Sequence, residues 1–364
     1  MQNIFKKIAD RPRGHGLPPV CYTDEGFLQL EIEKLFRKEW HCLGRSDEIP
    51  VTGDFFTVDL VGEPLVVIRQ ADGEIEVLSN VCRHRGMPVA EGSGNCKKLR
   101  CPYHAWTYNI DGTLRNAPLV AKELLDKNCR LPVLPSRCWQ GFVFASLDPQ
   151  AEWPMQSLEL LKSHIKNYHM AEMYHGTCFS EVWQCNWKSL VENFVDGYHL
   201  SVVHPETLHH LTPTSLCKKL ADASAFTAYT AKYADTAPDR EHCHPSLSKE
   251  ERRQSQLFCL FPSLIASLSA DTLVYFALHP VGVNQVSVKW GVAVYESDLE
   301  KKELAERVNK WKKINSEDHR ILKRLQTGLN SLHSTTGPLA ADNYEGTLHD
   351  FHRYLTSKLE SINQ

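Results

Sequence analysis

The sequence predicts an α+β protein in two parts: an all-β module, and a second part whose antiparallel sheet is covered by helices. Three observations carry this expectation. Residues from about 41 to 150 hold short β-branched runs broken by glycine-containing turns. Beyond them, helical and strand patterns mix. The 364 residues suit two or three domains at roughly 150 residues each. The expected division is 41–150 for the β-module, with 1–40 and 151–364 forming the second part, because the β-module looks self-sufficient.

Asp24–Trp40 reads as a helix with Phe27, Leu28, Ile32, Leu35 and Phe36 on its buried face and Thr23 as N-cap. FFTVDL (55–60), EPLVVIRQ (63–70) and EIEVLSN (74–80) read as strands. AWTYNIDGTLR reads as a hairpin turning at Asp111–Gly112, and WQGFVFASLD as one more strand. The stretch from Asp148 to Pro154 is the expected boundary. After it LELLKSHIKNY reads as a helix, TLVYFALHPVG and QVSVKWGVAVYES as paired strands, Asp298–Leu329 as a long amphipathic helix, and FHRYLTSKLESI as a closing helix.

Composition excludes several classes. A net charge of −3 argues against a broad nucleic-acid-binding surface. No run approaches the ~18–20 apolar residues of a membrane span. The opening MQNIFKKIADRPRGHG has no apolar core, so no secretory signal is expected and the expected location is cytoplasmic. In that setting 12 cysteines read as thiols or metal ligands rather than disulfides.

The strongest local signal is Cys82-Arg83-His84 followed by Cys101-Pro102-Tyr103-His104. Each half supplies one thiolate and one imidazole, next to turn-forming Gly86 or Pro102. Tetrahedral zinc is one reading of such a set. Zinc fingers, however, separate their cysteine pair from their histidine pair, whereas here each loop mixes the two. A [2Fe–2S] cluster, with both cysteines on one iron and both histidines on the other, fits better, and the order CxH…CxxH resembles the Rieske motif. Cys96 matches neither half.

A second constellation lies in NWKSLVENFVDGYHLSVVHP, 186–205. On a helix Glu192, Asp196 and His199 share one face, with Asn193 three before Asp196. His204 follows His199 by five residues, so the two rings converge only if the helix ends or bulges; Val202-Val203 and Pro205 favour a break. Two imidazoles plus one carboxylate make the open-faced non-haem Fe(II) site that activates O₂. The candidate carboxylate is Asp318. It falls on an apolar stripe running Leu304, Val308, Trp311, Ile314, Leu322, Leu325, Leu329, where a lone acid needs a partner or a metal. Glu317, Asp342, Glu345 and Asp350 compete with it. The other histidines, among them His164, His169, His175, His209 and His210, read as surface or packing residues.

Together the two constellations resemble the catalytic α subunit of Rieske non-haem iron oxygenases, also called aromatic-ring-hydroxylating dioxygenases. The entry segment LPPVCYTDEGFLQLEIEKLFRKEW, the Cys/His pair of loops, the NWK…EN…DGYH…HP stretch and EDHRILKRLQTGL occur in that family's order. The chain looks like the homotrimeric branch that includes choline monooxygenase and betaine demethylases, and equally like aromatic-acid dioxygenases. The resemblance implies that Cys82 and Cys101 hold one cluster iron and His84 and His104 the other. It implies that His199, His204 and Asp318 bind the mononuclear iron. Asp196 matches the acid that links a cluster histidine of one subunit to an iron-ligand histidine of its neighbour in a head-to-tail trimer, and Asn193 an asparagine near the iron's open side.

The implied activity is O₂-dependent mono- or dihydroxylation, or oxidative demethylation, of a small organic substrate. The expected electron donor is a separate reductase or ferredoxin, fed ultimately by NAD(P)H, since no flavin or nicotinamide motif is seen here. The alternative is a Rieske electron-transfer protein without oxygenase activity, and a zinc protein is a further one. The substrate is left open. Phe226, Tyr229, Tyr233, Leu257 and Phe258 are candidate pocket residues, either as an aromatic cage for a quaternary ammonium or as plain core.

Overall fold

The computed structural model describes residues 2–240, 243–295 and 301–360. It resolves into two compact units, Arg37–Ala151 and Met1–Phe36 with Glu152–Gln364. Residues 296–300 and 361–362 of the expected last strand and the two last helices lie outside the described residues.

The contiguous unit is built of antiparallel sheets. Its five-stranded sheet runs, from edge to edge, Ser93–Asn95, Asp54–Leu60, Glu63–Arg69, Ile75–Ser79 and Val133–Leu134. The apolar run Leu65–Ile68 is unbroken because its strand is covered on both faces. Leu65 and Val67 enter one core while Val66 and Ile68 enter another. A three-stranded sheet joins Trp40–Arg45, Phe142–Ser146 and Ser136–Trp139. WQGFVFASLD is therefore not one strand. Gln140 and Gly141, both at positive φ, form a two-residue turn between paired Trp139 and Phe142. The hairpin at Asp111–Gly112 pairs Thr107–Tyr108 with Leu114–Asn116.

The other unit holds a seven-stranded, fully antiparallel sheet. Its spatial order is Tyr174–Trp183, Gln285–Val294, Thr272–Gly282, Leu264–Leu268, Gln254–Leu260, Phe226–Lys232 and Cys217–Lys219. The helix Trp187–Val195 lies across four of these strands. It also packs against the long helix Lys301–Leu329 and the last helix Asp342–Glu360. The fold is α+β, with helices on the antiparallel sheet. Among the described residues no helix is long and apolar enough to cross a membrane.

The entry segment differs in detail from its sequence pattern. The α-helix spans Glu25–Glu31 and widens into a π-helical turn over Ile32–Phe36, and Trp40 already begins a strand. Its cap is Asp24, whose carboxylate accepts the Phe27 N–H at 2.8 Å; Thr23 instead closes the preceding short helix Val20–Thr23. Glu31 is fully buried and receives the Lys188 ammonium at 2.8 Å and the Trp187 indole N–H at 2.9 Å. Both charges of the pair are without solvent access. Removing one partner strands the other in the core, at about 3–5 kcal/mol.

The long helix also turns its inner row differently. Val308, Ile314, Asn315, Leu322 and Gln326 are buried, while Leu325 is 45% exposed. Gln326 is satisfied there, accepting the Asn186 N–H at 2.8 Å and donating to Asn284 at 2.8 Å. Asp318, four residues after Ile314 and four before Leu322, stays on that inner row.

Candidate metal centres

The two Cys/His loops share one backbone design. In the first, the Cys82 N–H donates to the Met87 carbonyl and the Gly86 N–H returns to the Cys82 carbonyl. In the second, Cys101 N–H donates to Trp106 and Ala105 N–H returns to Cys101. The fifth residue of each loop is left-handed, Gly86 at φ +78° and Ala105 at φ +61°. The turn aims both cysteines inward, each 2% exposed in a core with Trp106 and Tyr108. It turns the histidines outward: His84 is exposed and His104 half-buried, with ring centroids 4.7 Å apart.

His84 stacks on Trp106 at 5.2 Å, which fixes its ring plane. The Tyr108 hydroxyl lies 3.3 Å from Cys82 Sγ and accepts the Arg83 N–H at 3.0 Å. Burial, with Cys82 beside it, pushes this phenol upward, so it stays protonated and can donate to sulfur. Desolvation, then His84 and Arg85, push His104 below its ordinary value, favouring the neutral ring that a metal requires. Two inward sulfurs and two outward nitrogens on matched loops fit a [2Fe–2S] group with a buried and an exposed iron.

The second centre forms where a helix stops. Trp187–Val195 is capped by the Asn186 side chain and ends at Asp196, whose backbone is extended at φ −94°, ψ 126°. Glu192, Asp196 and His199 are therefore not one helical face. Glu192 turns instead to the Tyr22 hydroxyl at 2.6 Å and His352 at 2.8 Å. Gly197 makes the break possible, since a Cβ there would stand 2.8 Å from the Cys217 side chain. His199 then opens the one-turn helix Leu200–Val203, and His204 closes it at φ −116°, ψ 52°. The two rings meet edge to face, with centroids 5.3 Å apart and planes inclined at 66°.

Asp318 completes the group. Its Oδ1 lies 3.1 Å from His204 Nε2 and 3.8 Å from His199 Nε2. One ligand atom from each of the three lies within 4.8 Å of the others, so His199, His204 and Asp318 form a metal-binding triad. The far nitrogens are backed by carboxylates. His204 Nδ1 meets Glu317 at 2.8 Å, and Glu317 also accepts the Thr207 hydroxyl at 2.6 Å. His199 Nδ1 lies 3.3 Å from Asp196, which accepts the backbone N–H groups of Tyr198 and His199. The Glu317 carboxylate bonded to His204 places that ring's proton on Nδ1 and leaves its Nε2 lone pair for a metal, whereas His199 Nδ1 lies near Asp196 without an aligned hydrogen bond.

The set fits a divalent cation. Asp318 Oδ1 is buried and lacks an aligned hydrogen bond. Burial pushes His204 down, but Asp318 and Glu317 outweigh it and hold the ring above its ordinary value, so a metal arriving at the triad takes the place of a proton on this ring.

Of the sequence candidates, the structure brings together His199, His204, Asp318 and Asp196. Asn193 lies half-buried on the preceding helix. Asp350 is held elsewhere, by Lys219 at 2.9 Å and Thr227 at 2.7 Å. Glu317, weighed only as a rival ligand, instead orients His204. Phe226, Tyr229 and Phe258 are fully buried core. Tyr233 and Leu257 line a cavity together with Arg240, Arg307 and Lys310, none of which the sequence singled out.

Comparison with known proteins agrees with these geometries. Residues 159–361 match the catalytic domain of the ring-hydroxylating alpha subunit, and residues 39–135 the Rieske [2Fe–2S] domain. The first match covers more than half of the chain, and the chain belongs to the ring-hydroxylating alpha-subunit family. It is a Rieske non-haem iron oxidoreductase, carrying a [2Fe–2S] domain and a mononuclear His/His/Asp iron site suited to O₂-dependent hydroxylation.

Two glycine betaine monooxygenase oxygenase subunits are similar to it. The one from Pseudomonas aeruginosa is 27% identical, over 98% of this chain and 92% of that protein. The one from Chromohalobacter salexigens is 35% identical, over 56% of this chain and only 46% of that protein. The benzene 1,2-dioxygenase alpha subunit of Pseudomonas putida is 36% identical, over 82% of this chain and 73% of that one. In fold, the chain is similar to naphthalene 1,2-dioxygenase from Rhodococcus sp., with a TM-score of 0.83 at 21% identity, covering 100% of this chain and 98% of that one.

Proposed function

We propose that the chain is the oxygenase component of a system that hydroxylates a small organic substrate, once or twice, or demethylates it through hydroxylation. The observation that carries this reading is the triad with a carboxylate behind each histidine. An electron carrier needs only residues 41–150 and has no use for such a site in 1–40 and 151–364. When bound, the [2Fe–2S] group supplies single electrons and the mononuclear iron activates O₂.

The chain's own residues then have distinct tasks. Cys82 and Cys101 would hold one cluster iron, and His84 and His104 the other. His199, His204 and Asp318 would hold the mononuclear iron, which would supply the site for O₂ beside substrate. Glu317 keeps His204 in one tautomer. Asp196 keeps His199 in register and can accept a second N–H from a cluster histidine of a neighbouring copy. By its resemblance to the family's asparagine, Asn193 would stand near the open side of the iron.

Electrons come from a separate reductase or ferredoxin, in the cytoplasm. A head-to-tail homotrimer is supported by what flanks each centre. Met87 and Tyr103 are 42% and 55% exposed beside the cluster histidines, and Tyr198 and Val202 are 56% and 81% exposed beside Asp196 and His199. These apolar surfaces suit a heterologous contact that closes into a ring.

The test is a substrate screen with a surrogate reductase, NAD(P)H consumption and ¹⁸O₂, on protein carrying about three iron atoms per chain. Label in an organic product supports the reading. A fully loaded protein that passes electrons but incorporates no label into any product is an electron carrier.

A further inference from the structure

The catalytic unit contains a cavity of about 90 Å³ whose two ends differ in chemistry. Leu200, Leu208, Leu257 and Ile314 line the apolar end. Leu200 follows the ligand His199 in sequence, and Ile314 is one helical turn before Asp318, so this is the end nearer the ligands along both chain segments. The other end holds Arg240, Arg307 and Lys310, with Asp271 as the one carboxylate among the described lining residues.

Asp271 is a poor match for three cations. Its Oδ1 already accepts the hydroxyls of Ser269 at 3.0 Å and Thr272 at 3.2 Å. Its Oδ2 meets both guanidinium groups only loosely, Arg240 at 3.5 Å and Arg307 at 3.7 Å. Arg240 Nε is buried and has no hydrogen-bond partner. Lys310 sits at the exposed rim, pushed down by desolvation and by Arg240. Arg307 also donates to the Asp271 carbonyl at 3.1 Å, so the Arg240 Nε–H is the donor left over; cations crowded in this way beside a cavity are arranged for an anion.

We infer that the substrate is an organic carboxylate, its carboxyl group held by Arg240, Arg307 and Lys310 and its apolar body pointed along Leu257 and Ile314 toward the triad. This rests on the reading of the chain as an oxygenase and narrows the substrate to a charge class. Lys310 and Asp318 are eight residues apart on one helix, about 12 Å along its axis, so the oxidised carbon is remote from the carboxylate. A quaternary ammonium group cannot occupy the cationic end; in a zwitterion it would have to point inward.

Calorimetry on the iron-loaded holoenzyme tests this with three probes of similar shape: 3-phenylpropionate, the neutral 3-phenylpropionamide and the cation phenethyltrimethylammonium. The acid should bind at least about tenfold more tightly than either of the others, as expected for hydrogen bonds to a charged group. Arg307→Gln and Arg240→Gln should each remove most of that preference while leaving amide binding within about twofold. Iron content and the cluster's EPR signal establish that each variant is folded and loaded.

Equal binding of all three probes, tightest binding of the cation, no binding of the acid, or an acid preference untouched by both substitutions overturns the inference. A loaded enzyme that binds the acid as expected upholds it. If that enzyme still oxygenates no carboxylate, the failure belongs to the oxygenase reading and not to the charge of the pocket.

Discussion

The two metal centres are held by opposite strategies. The cluster ligands lie within 23 consecutive residues, on loops that repeat one hydrogen-bonding design. The iron ligands come from a helix break at 199–204 and from a helix more than a hundred residues later, and carboxylates rather than backbone orient them. The first centre is a matter of local backbone geometry. The second depends on tertiary packing, and on charge balance among Asp196, His199, His204, Glu317 and Asp318. Damage to one should therefore leave the other intact, and the size of the damage should track how directly a residue touches the metal.

The largest effects separate the two centres cleanly. Asp318→Ala should lose the mononuclear iron and all turnover while retaining two irons per chain and the visible absorbance of the cluster. His104→Ala should do the reverse, abolishing the Rieske EPR signal without emptying the triad. Metal analysis with EPR on both variants reads the contrast, and a variant that loses both centres would show that they are not independent.

Asp196→Asn probes the connection between them. Asn removes a charge and turns one acceptor into a donor facing imidazole N–H groups. Both centres should remain filled, with reoxidation of the reduced cluster by O₂ and substrate markedly slowed in single-turnover stopped flow. A wild-type rate would route the electron elsewhere. A graded effect is expected of Glu317→Gln, which keeps the shape of the His204 partner but not its charge. Iron affinity should fall about 10–100-fold, measured by competition with a chelator, with no change at the cluster. The smallest effect belongs to Tyr108→Phe. Losing its hydroxyl beside Cys82 Sγ should lower the cluster's reduction potential in a redox titration, and leave its occupancy and the triad unchanged.

What the sequence disclosed follows the same division. The cluster ligands were readable because their spacing and their geometry are the same local fact. Asp318 was readable because an acid on an apolar row of a helix is out of place. Glu317, one residue away, read only as a rival ligand, and the packing of His204 against it shows its task. The break expected from Val202-Val203 and Pro205 is found at His204, but an earlier one at Asp196-Gly197 was missed, because the i, i+4, i+7 spacing of Glu192, Asp196 and His199 suggested a continuous face. The cationic end of the cavity was invisible for a related reason. Arg307 and Lys310 sit on a helix crowded with lysines and arginines, where a basic side chain is by default assigned to water.

The buried pair of Glu31 and Lys188 has a consequence for the order of assembly on the ribosome. Residues 37–151 form a continuous stretch whose sheets can close as soon as they emerge, before the rest of the chain exists. The catalytic unit cannot do the same. Its Glu31 is made early, Lys188 much later, and Asp318 and the last helix later still. The opening segment must therefore wait, unpaired, while the whole cluster-bearing unit is synthesised in front of it. The iron triad cannot be complete before Asp318 is made, whereas all four cluster ligands are present once His104 has been.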